Sequence, residues 1–310
     1  MTETIKVNSP SIREIKFQGL KIGGEKALGL SVPVFALELN ICDFSVSSHI
    51  VKDWFNEGNG EWEMGNGPLS SHFSPLTLVL KAQQTDCDIL ALKFNISEEN
   101  LEEQIVNAQE LLKTLLPHIT KPLLIRGINN KSVDVKLLPA LMEILANSDF
   151  YREVIIAFAD ENNYKEIVPS VVKGRHILAI RTPIDINLAK EMNILTSDMG
   201  LSLDKILIDT DMGGLGYGLE YGYSIMERIK IAAFADDTML NMPLIAFAGE
   251  EALKAKETKS DTFSECFGDF KSRSIMFEIS TASAVIAAGA NLIVLEHPDS
   301  IKTLKELING

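Results

Sequence analysis

Short runs of Val, Ile, Leu and Ala recur at residues 32–41, 88–95, 122–128, 154–159, 177–183, 205–211, 243–248 and 291–297. They are apolar on both alternating faces, as parallel strands covered by helices are. Between them the apolar spacing changes to the helical period. After Ser97, which predicts an N-cap, Leu101, Ile105, Ala108 and Leu112 form a stripe spaced four, three and four. Similar stripes predict helices over 135–146, 164–172, 185–199, 219–240, 273–288 and 301–308. Eight strands alternating with helices, with no change of composition dividing the chain, predict a single-domain α/β fold, a closed (βα)8 TIM barrel. Residues 1–31 read as a β-rich lead-in and 32–310 as the barrel. The polar, Gly-rich stretch 56–67 predicts a long surface loop, and 258–268 a second irregular segment.

Charge narrows the partners. With 43 acidic against 29 basic residues the net charge is -14, which repels phosphate backbones and anionic lipid and so weighs against nucleic-acid and membrane roles. No apolar run approaches the roughly 20 residues of a membrane span, and the polar N-terminus does not resemble a signal peptide, so a cytoplasmic protein is expected. Cys42, Cys87 and Cys266 are scattered and odd in number. They predict neither disulfides nor zinc, and cannot supply the four thiolates of an iron–sulfur cluster. No two of the five histidines stand at helical ligand spacing; His297, ending the last strand, is the one placed to reach a barrel mouth.

Barrel chemistry gathers at the C-terminal ends of strands. There stand Asp43, Asn95, Arg126, Asp160, Arg181, Asp185, Asp209, Asp211, Glu250 and Glu296. No nucleophile elbow, phosphate loop or metal-ligand cluster accompanies them, so binding is expected and no residue is assigned a catalytic role. Asp185 predicts an N-cap, and Asp209 and Asp211 point the same way as anchors for the glycines that follow. Those glycines lie in the most distinctive stretch, IDTDMGGLGYGLEYGYSIMER over residues 208–228. Gly213, Gly214, Gly216 and Gly218 permit positive φ and close backbone approach, which serves either ligand contact or a tight strand-to-helix turn. The dinucleotide fingerprint is not present, because Leu219 holds its third glycine position.

This stretch, with RTPIDIN at 181–187, NYK at 163–165, MLNMP at 239–243, GEEALKAKE at 249–257, and PVFALE and GGEKAL nearer the start, resembles the corrinoid iron–sulfur protein small subunit and the delta subunit of acetyl-CoA decarbonylase/synthase. The segment holding Trp54 and Trp62 departs from that pattern, as does Leu253, where the family usually carries Trp. The resemblance implies a barrel that pairs with a large subunit bearing the iron–sulfur cluster and the corrinoid (cobalamin). That pair carries a methyl group from methyl-tetrahydrofolate or a pterin, by way of a methyltransferase, to acetyl-CoA synthase in the Wood–Ljungdahl pathway. In this role the chain is a non-catalytic subunit whose mouth covers the corrinoid at the subunit interface. Arg181, Asp211, Gly213, Gly214, Leu215, Gly216, Tyr217 and Gly218 are the expected contacts, with no cluster and no metal held by this chain. The alternatives are a pterin-binding methyltransferase barrel related to dihydropteroate synthase, with Asp160 and Asp209 holding the pterin, or a diverged paralogue serving another corrinoid partner.

Overall fold

The computed structural model describes residues 11–26, 32–57, 74–148, 150 and 152–310. Most of the expected loop at 56–67, with Trp62, and parts of the lead-in lie outside the described residues. Glu14–Phe17 (β1) and Leu20–Gly23 (β2) form an antiparallel hairpin. Gln18 and Gly19 turn it with φ of 48° and 90°, the paired positive values that suit a two-residue turn between twisted strands.

The eight apolar runs become Val34–Asn40 (β3), Ile89–Lys93 (β4), Leu123–Arg126 (β5), Ile155–Ala159 (β6), Ile177–Arg181 (β7), Ile206–Asp209 (β8), Leu244–Ala246 (β9) and Leu292–Leu295 (β10). They pair in parallel in the order β10-β3-β4-β5-β6-β7-β8-β9 and close into a barrel. His49–Asn56 (α1) and Pro75–Gln83 (α2) both lie between β3 and β4. The remaining helices are Leu101–Leu115 (α3), Lys131–Asn147 (α4), Tyr164–Gly174 (α5), Ile186–Asp198 (α6), Leu219–Phe234 (α7), Ala248–Ala252 (α8), Phe270–Ala287 (α9) and Pro298–Asn309 (α10).

Two apolar cores result. One lies between strands and helices. The other fills the barrel with inward residues such as Ala36, Ala91, Leu124, Ala179 and Val294, and is closed at the bottom by Ile15, Phe17 and Ile22 of the hairpin. Following the same inward parity one step further along each strand gives Glu38, Lys93, Arg126, Arg181, Asp209 and Glu296. A charged layer therefore caps an apolar interior. In β6 the register shifts between Ala157 and Ala159, so Phe158 joins Ala157 in the inner core.

Three expectations are corrected. Asn100, not Ser97, occupies the N-cap position of α3; Ser97 is instead tied to Gln104, whose amide accepts from its N–H at 3.1 Å and donates to its Oγ at 2.9 Å. The helix expected over 219–240 stops at Phe234, where Asp236 turns left-handed at φ 68° and Asp237 accepts from Met239 N–H. His297 does not reach the mouth: it is buried as the N-cap of α10, Nδ1 accepting from Asp299 N–H at 3.2 Å. Burial pushes its pKa down to about 4.

Candidate binding site at the barrel mouth

The charged layer divides into two groups. On one side Arg126, 1% exposed, places Nη2 2.5 Å from Glu250 Oε2 and Nη1 3.3 Å from Glu38 Oε2. Its guanidinium packs against the edge-to-face pair of Phe158 and Phe247, 5.2 and 4.9 Å from their centroids. Lys93 Nζ lies 3.2 Å from Glu250 Oε1 and 3.9 Å from Glu38 Oε1. Burial opposes ionisation of Glu250, but Arg126, Lys93 and Lys254 outweigh it and hold the carboxyl well below the ordinary range. Glu296 is the reverse case. Burial first, then Glu38 and Glu278, push its carboxyl up to about 8. Burial likewise raises Glu278 of α9 to about 7, although Ser300 Oγ and the backbone N–H of Glu296 and His297 donate to it.

On the other side Arg181 and Asp209 are register partners across β7 and β8. Arg181 Nε donates to Asp209 Oδ2 at 2.7 Å, and Nη1 lies 3.3 Å from Asp211 Oδ1. Its guanidinium carbon stands 3.6 Å from the Phe158 ring centroid. Burial raises the pKa of Asp209, with Arg181 opposing. Asp211 N–H donates back to Asp209 Oδ1 at 3.0 Å, so one arginine and two aspartates fix the point where the chain leaves the barrel.

The glycine loop follows. Tyr217 and Leu219 N–H both donate to the Gly214 carbonyl, and Gly216 and Gly218 take φ of 78° and 102°. A Cβ on Gly214 would lie 2.5 Å from the Glu251 carbonyl oxygen of α8, and one on Gly213 would overlap the Tyr217 carbonyl oxygen; one on Gly216 would meet nothing within 4 Å. The loop base is thus seated against α8 while its tip faces open space. Leu215 and Tyr217 are 37% and 48% exposed there. Tyr217 Oη donates to Glu257 Oε2 at 3.1 Å and accepts from Lys256 N–H.

The structure brings Arg181, Asp211 and the 213–218 loop together. Other strand-end residues have structural partners: Asp185 caps α6 through Asn187 and Leu188 N–H, Asp160 accepts from Asn162 N–H, and Asp43 accepts from Ser45 N–H. Tyr221 is exposed, whereas Tyr223 packs on the core. The sequence reading missed Glu38, Lys93, Phe158 and Phe247, which lie within the apolar runs. It also missed His49, which lines the mouth with its ring stacked 3.6 Å from that of Phe270. Among the described residues no group of three or more His, Cys, Asp or Glu is arranged to hold a metal ion, and no helix is long and apolar enough to cross a membrane.

Known proteins share this architecture and sequence. The dihydropteroate synthase of Xanthomonas albilineans solved with 4-aminobenzoic acid superposes with TM-score 0.59 over 97% of this chain and 98% of that one, at 11% identity. The Thermus thermophilus enzyme in complex with 4-aminobenzoate gives 0.54 over 96% and 98%, at 9% identity. At such identities the likeness is one of fold. In sequence, the acetyl-CoA decarbonylase/synthase complex subunit delta of Methanopyrus kandleri is 27% identical over 202 residues, 65% of this chain and 49% of that protein. Subunit delta 2 of Methanosarcina acetivorans is 25% identical over 311 aligned residues, 92% of this chain and 65% of its own length. The chain thus spans about half the length of the first relative and under two thirds of the second. The profile of the CO dehydrogenase/acetyl-CoA synthase delta subunit family matches residues 79–304, from α2 through most of α10 and including every residue of the Arg181 and glycine-loop group. The chain belongs to that family.

Proposed function

We propose that this chain is the non-catalytic barrel subunit of a cytoplasmic, corrinoid-dependent methyl carrier. A larger partner holds the corrinoid and an iron–sulfur cluster, and the barrel mouth covers the corrinoid. The methyl group travels from a methylated folate or pterin to acetyl-CoA synthase, which meets the assembly transiently, as does the methyltransferase.

A corrin is a broad macrocycle edged with amide arms, and the residues present fit a cover for it. Leu215 and Tyr217 offer an apolar surface at the loop tip, and the open space at Gly216 leaves room for a flat ring. The Asp211 side chain is 36% exposed and can accept from an amide N–H. Arg181, doubly paired beneath, acts through Asp211 by holding it in place. When bound, the corrinoid supplies the cobalt that takes and gives the methyl group; this chain orients the ring and keeps water from its face. The carrying observation is the outward Leu215 to Tyr217 tip on a base seated against α8. Titration calorimetry with the corrinoid-carrying partner tests it. Tyr217→Ala is expected to leave the barrel folded and weaken binding about tenfold, the scale of about 1.4 kcal/mol at an interface aromatic. Unchanged affinity would return the loop to a purely structural role.

A further inference from the structure

The mouth holds more than the glycine loop uses. Across the barrel from β8, the ends of β3, β4 and β10 open on a cavity of about 610 Å³, within the usual size of small-molecule sites. Asn40 and Ser48 line it, and each has a side-chain oxygen with no hydrogen-bond partner. Asn40 is only 7% exposed, and its amide nitrogen is already committed to Ser47 Oγ at 3.3 Å. Buried polar atoms are satisfied in native structures as a rule, so an orphan acceptor beside a cavity is a place for a ligand donor.

We infer that this cavity is a second binding site, separate from the glycine loop, for a small neutral molecule that presents an amide or lactam edge. Its inner charged walls are already neutralised internally, while Lys259, which also lines it, is exposed to solvent and has no ion pair among the described residues. Lys93 pairs with Glu250 and Glu38, and Lys254 with Glu250 and Glu251, so an ionic ligand would meet like and opposite charge together. Glu296, 8% exposed, also lines the cavity. It is faced by Glu38 from β3, Lys93 from β4, Glu250 from α8 and Glu278 from α9, and with burial these raise it to about 8. Its carboxyl is therefore protonated at neutral pH and adds an O–H donor to the cavity that also holds the Asn40 carbonyl acceptor, the two kinds of group that the C=O and N–H of an amide need. Ile128, Leu253 and Phe270 supply apolar wall for the rest of the molecule. The inference stands independently of corrinoid binding, since none of these residues belongs to the 213–218 loop.

The test uses the purified full chain with isocytosine and nicotinamide as neutral probes and inorganic phosphate and putrescine as charged ones. Saturation-transfer NMR and calorimetry read binding. At pH 6.5 the neutral probes bind and the charged ones do not. Glu296→Gln, a neutral donor and acceptor of the same shape, retains binding, while Glu296→Ala weakens it about tenfold or more, the scale of a lost buried hydrogen-bond pair. Wild-type binding falls as pH rises past about 8, where Glu296 ionises, and the Gln variant does not follow it. Val46→Trp fills the cavity from an exposed position that leaves the core intact, and abolishes binding even if an inner variant misfolds. Binding of phosphate or putrescine alone, no binding of either neutral probe, or neutral-probe binding unchanged in folded Glu296→Ala and Val46→Trp would each overturn the inference.

Discussion

Asp211 takes a left-handed φ of 50°, uncommon for a residue other than glycine. Arg181 on its carboxylate and Asp209 on its N–H hold it there. Asparagine tolerates that conformation well and keeps one acceptor for Arg181. Asp211→Asn is therefore expected to fold and to lower methyl transfer, in an assay reconstituted with the partner, methyl donor and methyltransferase, by no more than about tenfold; one hydrogen bond is worth roughly 0.5–1.5 kcal/mol. A loss beyond about a hundredfold would make it an acid–base group. The glycines divide at this scale too. Gly214 answers to close approach against α8 and Gly216 to its positive φ, so valine at Gly214 reports packing, and Tyr217 is the cleaner probe of contact. Arg181 and Asp211 were legible because they end runs at strand termini. Glu38 and Lys93 were not, since each stands within a run read for its apolar residues; the parity of 34, 36, 38 and of 89, 91, 93 would have turned both inward.

The eight strands were legible as elements because burial on both faces leaves almost no polar residue in them. Helix α1 was not: eight residues give only one repeat of its buried stripe, Ile50, Val51, Trp54 and Phe55. Its last carbonyls are satisfied from outside, Lys81 of α2 donating to the carbonyls of Trp54, Phe55 and Glu57 at 2.5, 2.9 and 2.6 Å. No local pattern could announce that tie. The same holds for the segment after the hairpin, where Glu25 meets Lys230 of α7, and Asn291 bonds both. All three are buried. Glu25→Ala strands the Lys230 ammonium with the Asn291 carbonyl alone, and is expected to cost about 3–5 kcal/mol in urea unfolding. A change below about 1 kcal/mol would mean that water reaches the ammonium and the hairpin docks by its apolar side chains alone.

For the whole molecule, the barrel followed from the number and uniform burial of the strands, and the family from residues 208–228. The charged layer did not follow, because its pairs join residues up to 157 positions apart, as in Lys93 and Glu250. A net charge of -14 is compatible with a mouth that binds neutral or amide-rich groups, since Lys93, Arg126 and Arg181 are internally paired. Covering a corrinoid held by another subunit is the role proposed for the mouth. The direct measurement is the visible spectrum with cobalt and iron analysis of the chain, purified without oxygen, alone and after assembly with its corrinoid-carrying partner. The chain alone is expected to be colourless and without cobalt, and to acquire the corrinoid spectrum only in the complex. Stoichiometric cobalt in the isolated chain would contradict that role.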